Sequence, residues 1–297
     1  MRVLVTGARG QLGRELTTHL QESAHQVVGA MHAECDLTSP ESIARIMEKV
    51  RPDVVINCAA WTNVDAAEQH RDEAFAVNDA GPRFLALECA RRGSLLCHLS
   101  TDYVFDGAAT SPYSEDAVLH PLGVYGASKA AGEDEVRSVS PHHQIVRTAW
   151  LYGQSGPNFV LTMVRLARER GELRVVADQH GSPTWTGHLA PAVMRLVELG
   201  ATGTFHLTNS GDTSWHGFAS AIVADGGLAV PVVALTTDEY PTAAPRPAYA
   251  VLDNGGWRRL GNPPLPHWRD GLREYLRRRG LLSQAVASVD TDTGAAT

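Results

Sequence analysis

The stretch "RVLVTGARGQLG", residues 2–13, decides the fold. Its first half is a run of branched apolar residues that reads as a buried strand over 2–6. Its second half spaces Gly7, Gly10 and Gly13 as G-x-x-G-x-x-G. Glycines permit a tight turn and let backbone approach a pyrophosphate, which then meets the N–H groups of a helix N-terminus. A strand, such a loop and a helix through about Glu22 open a dinucleotide-binding unit.

The same rhythm continues outward. Strands are expected at 25–30, 52–60, 94–100 and 143–152, with helices at 39–50, 73–93 and 125–138. Ser39 and Pro40 suit the N-cap and N1 positions of the second helix. Near-continuous apolar strands alternating with helices imply an α/β fold, a Rossmann-type doubly wound parallel sheet. After 152 the rhythm loosens. A helix is expected at 158–170, a strand at 204–209, and proline-rich loops with short elements over 230–267. The expected organisation is a dinucleotide-binding domain over 1–150, with 187–223 rejoining its sheet. A smaller C-terminal substrate-binding lobe takes 151–186 and 224–282, and 283–297 is a small, polar, disordered tail.

The chain has 297 residues, 43% hydrophobic, with net charge −7 and pI about 6.0. That balance, with no basic block, disfavours nucleic acid and anionic membranes as partners. Arginines 277–279 fall at a helix end, where cations suit the dipole. The four cysteines form no CxxC pair, and neither a signal-peptide pattern nor a membrane-spanning apolar run is present. A cytoplasmic location is the expectation.

"YGASK", residues 125–129, holds one of only two lysines. Tyr125 and Lys129 are four apart and share a helix face. An ammonium near a phenol lowers its pKa and makes it a better acid near neutrality, and the lysine can also donate to a nicotinamide ribose. A hydroxyl for a substrate carbonyl is offered by "LSTDYVFDG" (99–107) at a strand's C-terminal end. Thr101 is the choice and Ser100 its competitor. The second strand ends without an acid for the adenosine ribose. Arg9 can reach a 2′-phosphate, which favours NADPH over NADH, or can lie in solvent. Asp36 can accept from adenine or cap a turn. Arg246 in "APRPAY" can meet a nucleotide diphosphate, since guanidinium forks suit phosphate, or remain at the surface.

Together "GARGQLG", "RPDVVINCAAWTNVDAAE", "STDYVFDG", "PLGVYGASKAAGE", "VRTAWLYG", "NFVLTM" and "DQHGSPTWT" resemble the dTDP-4-dehydrorhamnose reductase family of extended short-chain dehydrogenases/reductases. The match is weaker at "TFHLTN", "TSWHGFA" and "RP" (246–247). The resemblance implies NAD(P)H-dependent reduction of the 4-keto group of dTDP-4-dehydro-6-deoxy-L-mannose to dTDP-L-rhamnose. It implies that Tyr125 gives the proton, Lys129 tunes it and Thr101 orients the carbonyl. It places Gly10, Gln11, Leu12, Asp36, Leu37, Ala60, Trp61 and Thr62 against the cofactor, and Thr101, Asp102 and Trp150 against the sugar nucleotide. Trp150 alone reads equally as a core aromatic. Some family members bridge a dimer through a metal held by acids. Here Glu15 is present but Gly187 stands at another acid's place, so no metal is expected and a homodimer has no support. Two alternatives resemble the sequence: a sister 4-keto-deoxysugar reductase such as dTDP-dihydrostreptose synthase, and the NADP-binding regulatory subunit of methionine adenosyltransferase.

Overall fold

The computed structural model describes residues 1–284; the remainder of the expected tail lies outside the described residues. Strand β1 (Arg2–Thr6) leads through the glycine loop to helix α1 (Gln11–Gln21) and β2 (Gln26–Ala30). Helix α2 (Pro40–Val50) starts where the Ser39 side chain accepts from Ser42 N–H, as an N-cap should. Next come β3 (Val54–Asn57), α3 (Gly81–Arg92), β4 (Leu95–Thr101), α4 (Val124–Val139) and β5 (His143–Thr148). After the short β6 (Leu151–Tyr152) come α5 (Phe159–Glu169), β7 (Leu173–Val176), α6 (Thr186–Leu199) and β8 (Gly203–His206). Helix α7 (Trp215–Asp225), β9 (Val232–Leu235) and α8 (Trp268–Arg278) complete the frame.

Six strands form one parallel sheet in the order β8-β5-β4-β3-β1-β2. Alternate side chains cover its two faces. Val3, Val5, Val54 and Ile56 pack under α1 and α6, while Leu4, Val55, Leu96 and Ile145 pack under α2, α3 and α4. This is the doubly wound α/β sheet that the alternating pattern implies. The chain's progression reverses between β1 and β3, so a crevice opens there at the strands' C-terminal ends.

A second core joins α5, α7 and α8 around Trp185, Phe218, Trp268 and Leu272. Most of helix α7 falls in 187–223, expected beside the main sheet, yet its Phe218 and Ile222 pack in this second core. Conversely, Trp257 and Leu265, expected in the smaller lobe, pack against the main sheet. Both departures have one cause: apolar faces bury against the nearest complementary surface, whatever their chain position. Ser283, expected to open the tail, donates its N–H to the Asp225 carbonyl at 2.8 Å.

Two expected elements are broken. The helix at 73–93 is α-helical over Arg71–Phe75, widens to a π-turn over Ala76–Ala80 and resumes as α3. The strand at 143–152 stops at Thr148, and Trp150 takes φ +46° before β6 begins. Both breaks face the crevice. Among the described residues no helix is long and apolar enough to cross a membrane.

Candidate functional site

The glycine loop is shaped by close approach. Gly7 has φ +64°, and a Cβ there would lie 2.7 Å from the Ala59 nitrogen. A Cβ on Gly13 would lie 2.3 Å from the Gly7 carbonyl oxygen. Helix α1 begins without a side-chain cap, so its first N–H groups remain for a ligand. Above it opens a cavity of about 960 Å³, lined by Gly7, Arg9, Gly10, Gln11, Leu12 and Gly13 on one wall. Asp36, Leu37, Ala60, Trp61 and Thr62 line the next wall. Asp36 also caps a turn, accepting from the Thr38 N–H at 2.9 Å and hydroxyl at 2.8 Å. A bare helix N-terminus and glycines where a methyl would clash fit a dinucleotide pyrophosphate. Gly13→Ala is therefore expected to weaken NADPH binding at least about tenfold, or 1.4 kcal/mol. Calorimetric titration checks this; undiminished affinity would place the pyrophosphate elsewhere.

The π-turn has a local purpose. It carries Asn78, which accepts the Trp61 N–H at 2.8 Å and donates to the Trp61 carbonyl and Ser128 hydroxyl, both at 3.0 Å. One amide thus ties the "AWT" loop to α4. A Cβ on Gly132 would lie 2.0 Å from the Asn78 carbonyl oxygen, so glycine is what lets α4 sit this close.

Helix α4 delivers the expected pair to the far wall. Gly126 packs under the Tyr103 carbonyl, where a Cβ would lie 2.1 Å away. Tyr125 and Lys129 both line the cavity, with Thr101, Asp102 and Trp150. Burial pushes the Tyr125 phenol up to about 12; a hydrogen bond with Thr101 opposes this and the Asp102 charge adds to it. The expected downward push from Lys129 is not what governs this phenol. The Lys129 Nζ instead donates to the Leu99 carbonyl at 2.7 Å and lies 3.3 Å from His98 Nε2. Burial brings Lys129 down to about 8, against the upward pull of Glu133 and Cys58. Asp102 accepts from the Thr101 hydroxyl at 2.9 Å, and burial pushes its carboxyl up to about 7. Its Oδ2 is buried with no hydrogen-bond partner.

The competing hydroxyls have different partners. Ser100 donates to Glu133, one helical turn beyond Lys129 and completely buried. Glu133 is also forked by Arg147, Nε to Oε1 at 2.9 Å and Nη2 to Oε2 at 2.7 Å. Burial alone would raise the Glu133 carboxyl, but Arg147, with Ser100 and Arg137, holds it below the usual range. Both residues line the cavity, but the Ser100 hydroxyl is committed to a buried ion pair.

Arg246 is not brought to the cavity. It pairs with Asp65 at 2.8 Å and donates to the Ala244 carbonyl at 2.8 Å. Sequence reasoning passed over Trp215, which lines the cavity and stacks on Trp150 at 3.5 Å and 6°. Gly181 makes room for that stack, since a Cβ there would lie 2.5 Å from the Trp150 ring. A tryptophan opening an apolar helix reads as core, so the stretch "TSWHGFA", through its family resemblance, is the signal for it. Glu15 faces Arg278 at 3.9 Å, and a Cβ on Gly187 would lie 2.3 Å from the Trp185 ring. Among the described residues, no three His, Cys, Asp or Glu side chains group to hold a metal.

The sequence matches the RmlD substrate binding domain family over residues 1–280. It is 44% identical to the Bacillus subtilis spore coat polysaccharide biosynthesis protein SpsK, over 94% of this chain and 98% of that one. It is 44% identical to a Burkholderia thailandensis dTDP-4-dehydrorhamnose reductase, over 96% of this chain and 100% of that one. Its structure superposes with TM-score 0.91 on a dTDP-4-dehydrorhamnose reductase of Bacillus anthracis solved with NADP, at 39% identity, covering 93% of this chain and 99% of that one.

Proposed function

The chain belongs to the RmlD substrate binding domain family, and from that premise we propose that it reduces the 4-keto group of dTDP-4-dehydro-6-deoxy-L-mannose to dTDP-L-rhamnose with NADPH. One observation carries the reading. Thr101 and Tyr125 line the same cavity as the glycine loop.

The nicotinamide coenzyme supplies hydride when bound. Gly7, Gly10 and Gly13 admit its pyrophosphate, and Arg9 faces the cavity where a 2′-phosphate would favour NADPH. Tyr125 donates to the keto oxygen, and Thr101 joins it when its one hydrogen turns from Asp102 to the substrate. Tyr125 gives its proton as charge develops on that oxygen. A phenol held near 12 keeps its proton until an alkoxide calls for it. Asp102 holds the Thr101 hydroxyl in place and has one oxygen left for a sugar hydroxyl. Trp150 and Trp215 offer a flat apolar wall for the sugar nucleotide.

The test is oxidation of NADPH and NADH by the purified protein with the 4-keto-6-deoxy-L-sugar nucleotide, generated in situ from dTDP-glucose. The expected result is rapid oxidation giving dTDP-L-rhamnose by NMR, with NADPH preferred. Turnover only with another 4-keto-deoxysugar nucleotide would keep the reaction and replace the substrate. Coenzyme binding without turnover on any of them would overturn the enzymatic reading.

A further inference from the structure

Three polar side chains stand in line on neighbouring strands beneath the glycine loop. Thr6, Asn57 and His98 are cross-strand partners on β1, β3 and β4, and each has 0% exposure. The line ends on Lys129, itself 2% exposed. The reaction proposed above uses none of the first three. Buried polar groups at this depth need partners, and here the partners fix every hydrogen.

Asn57 Oδ1 accepts from the Ala59 backbone N–H at 3.2 Å and the Thr6 hydroxyl at 2.6 Å. A backbone N–H can only donate, so that end of the amide is the oxygen. The other end, Nδ2, lies 3.0 Å from His98 Nδ1 and can only donate. His98 Nδ1 therefore carries a lone pair. Burial, with the charges of Lys129 and Arg137, holds the ring neutral, its pKa well below the ordinary value. A neutral imidazole that accepts at Nδ1 has its proton on Nε2. That N–H faces the Lys129 Nζ at 3.3 Å. An ammonium has no lone pair to receive it, while an amine does. The donation to Leu99 is available to both forms.

We propose that His98 is a positioning residue for Lys129: Asn57 holds its ring as the Nε2–H tautomer, aimed at the lysine nitrogen so as to favour the amine over the ammonium. This deepens the reductase reading and rests on Lys129 serving that site. The groups facing Lys129 pull in opposite directions. Glu133, on the same helix, and Cys58, beyond the end of β3, favour the ammonium. Burial and the His98 N–H favour the amine. The balance brings Lys129 down to about 8.

The tautomer is read on the unmodified protein by NMR with 15N-labelled histidine, His98 being assigned through its contact with the Asn57 side-chain amide. The expected signature between pH 6 and 8 is a pyridine-like Nδ1 and a pyrrole-like Nε2. In folded His98→Gln, whose amide oxygen can accept from an ammonium, the alkaline limb of the kcat–pH profile is expected to move up by about one pH unit. A proton on Nδ1, a charged ring, or an unmoved alkaline limb in that variant would overturn the proposal. A protein with the Nε2–H tautomer but no reductase activity would sink the reaction assigned above and leave this proposal standing.

Discussion

Tyr125→Phe is expected to lower kcat by about 10²–10⁴-fold while coenzyme affinity stays unchanged. The substitution deletes one hydroxyl and keeps the ring, which sits edge-on to Tyr103 at 5.5 Å. The wall keeps its shape, and the glycine loop lies on the other side of the cavity. What disappears is the proton that must reach the carbonyl oxygen as hydride arrives, and one of two hydroxyls that hold it. Steady-state kinetics beside a calorimetric NADPH titration separate the two effects. Turnover within a few-fold of normal would pass the proton-donor role to another group, with Asp102 first in line because its carboxyl lies near 7.

The second large effect is structural. Glu133→Gln is expected to destabilise the protein by about 3–5 kcal/mol, because it leaves the Arg147 guanidinium buried without its counter-charge. Arg147 is 2% exposed and Glu133 0%. The other contacts of Arg147, the Glu115 carbonyl at 3.1 Å and His206 Nε2 at 3.3 Å, supply no negative charge. The pH dependence has a definite sign. The Glu133 carboxyl is depressed in the folded state, so its contribution is full above the ordinary carboxylate range and fades as pH falls through the folded value. Urea unfolding curves of the two proteins should therefore stand apart at neutral pH and converge in acid. A constant gap at all pH values would mean that packing, not charge, is what the substitution disturbs.

The parts legible in the sequence share a physical reason. "RVLVT" and "SLLCHLS" read as strands because both sheet faces are covered, leaving little room for polar residues. The glycine loop reads directly because only glycine tolerates φ +64° with backbone 2.7 Å from where its Cβ would be. Tyr125 and Lys129 are legible as a pair because helical spacing puts them on one face. Their electrostatics are not: that Lys129 is held at the Leu99 carbonyl depends on a neighbouring strand's register. The π-turn over Ala76–Ala80 and the bend at Trp150 are hidden for a similar reason. Each is set by tertiary contacts, Asn78 to the "AWT" loop and Trp150 to Gly181 and Trp215, that no local pattern encodes. Arg246 reads two ways in the sequence because an arginine's chemistry suits phosphate and carboxylate alike, and here it pairs with Asp65.

The strand order has a consequence for how the chain is made. Strand β5 ends at Thr148, but its outer neighbour β8 begins only at Gly203. Until then the edge of β5 shows unpaired backbone groups, and the sheet face that α6 will cover is bare. At about 5–20 residues per second, that interval lasts on the order of 3–11 s on the ribosome. During it the nascent chain presents an open template for strand addition by any neighbouring polypeptide. The pace of translation between these two strands therefore sets how long that edge stays open.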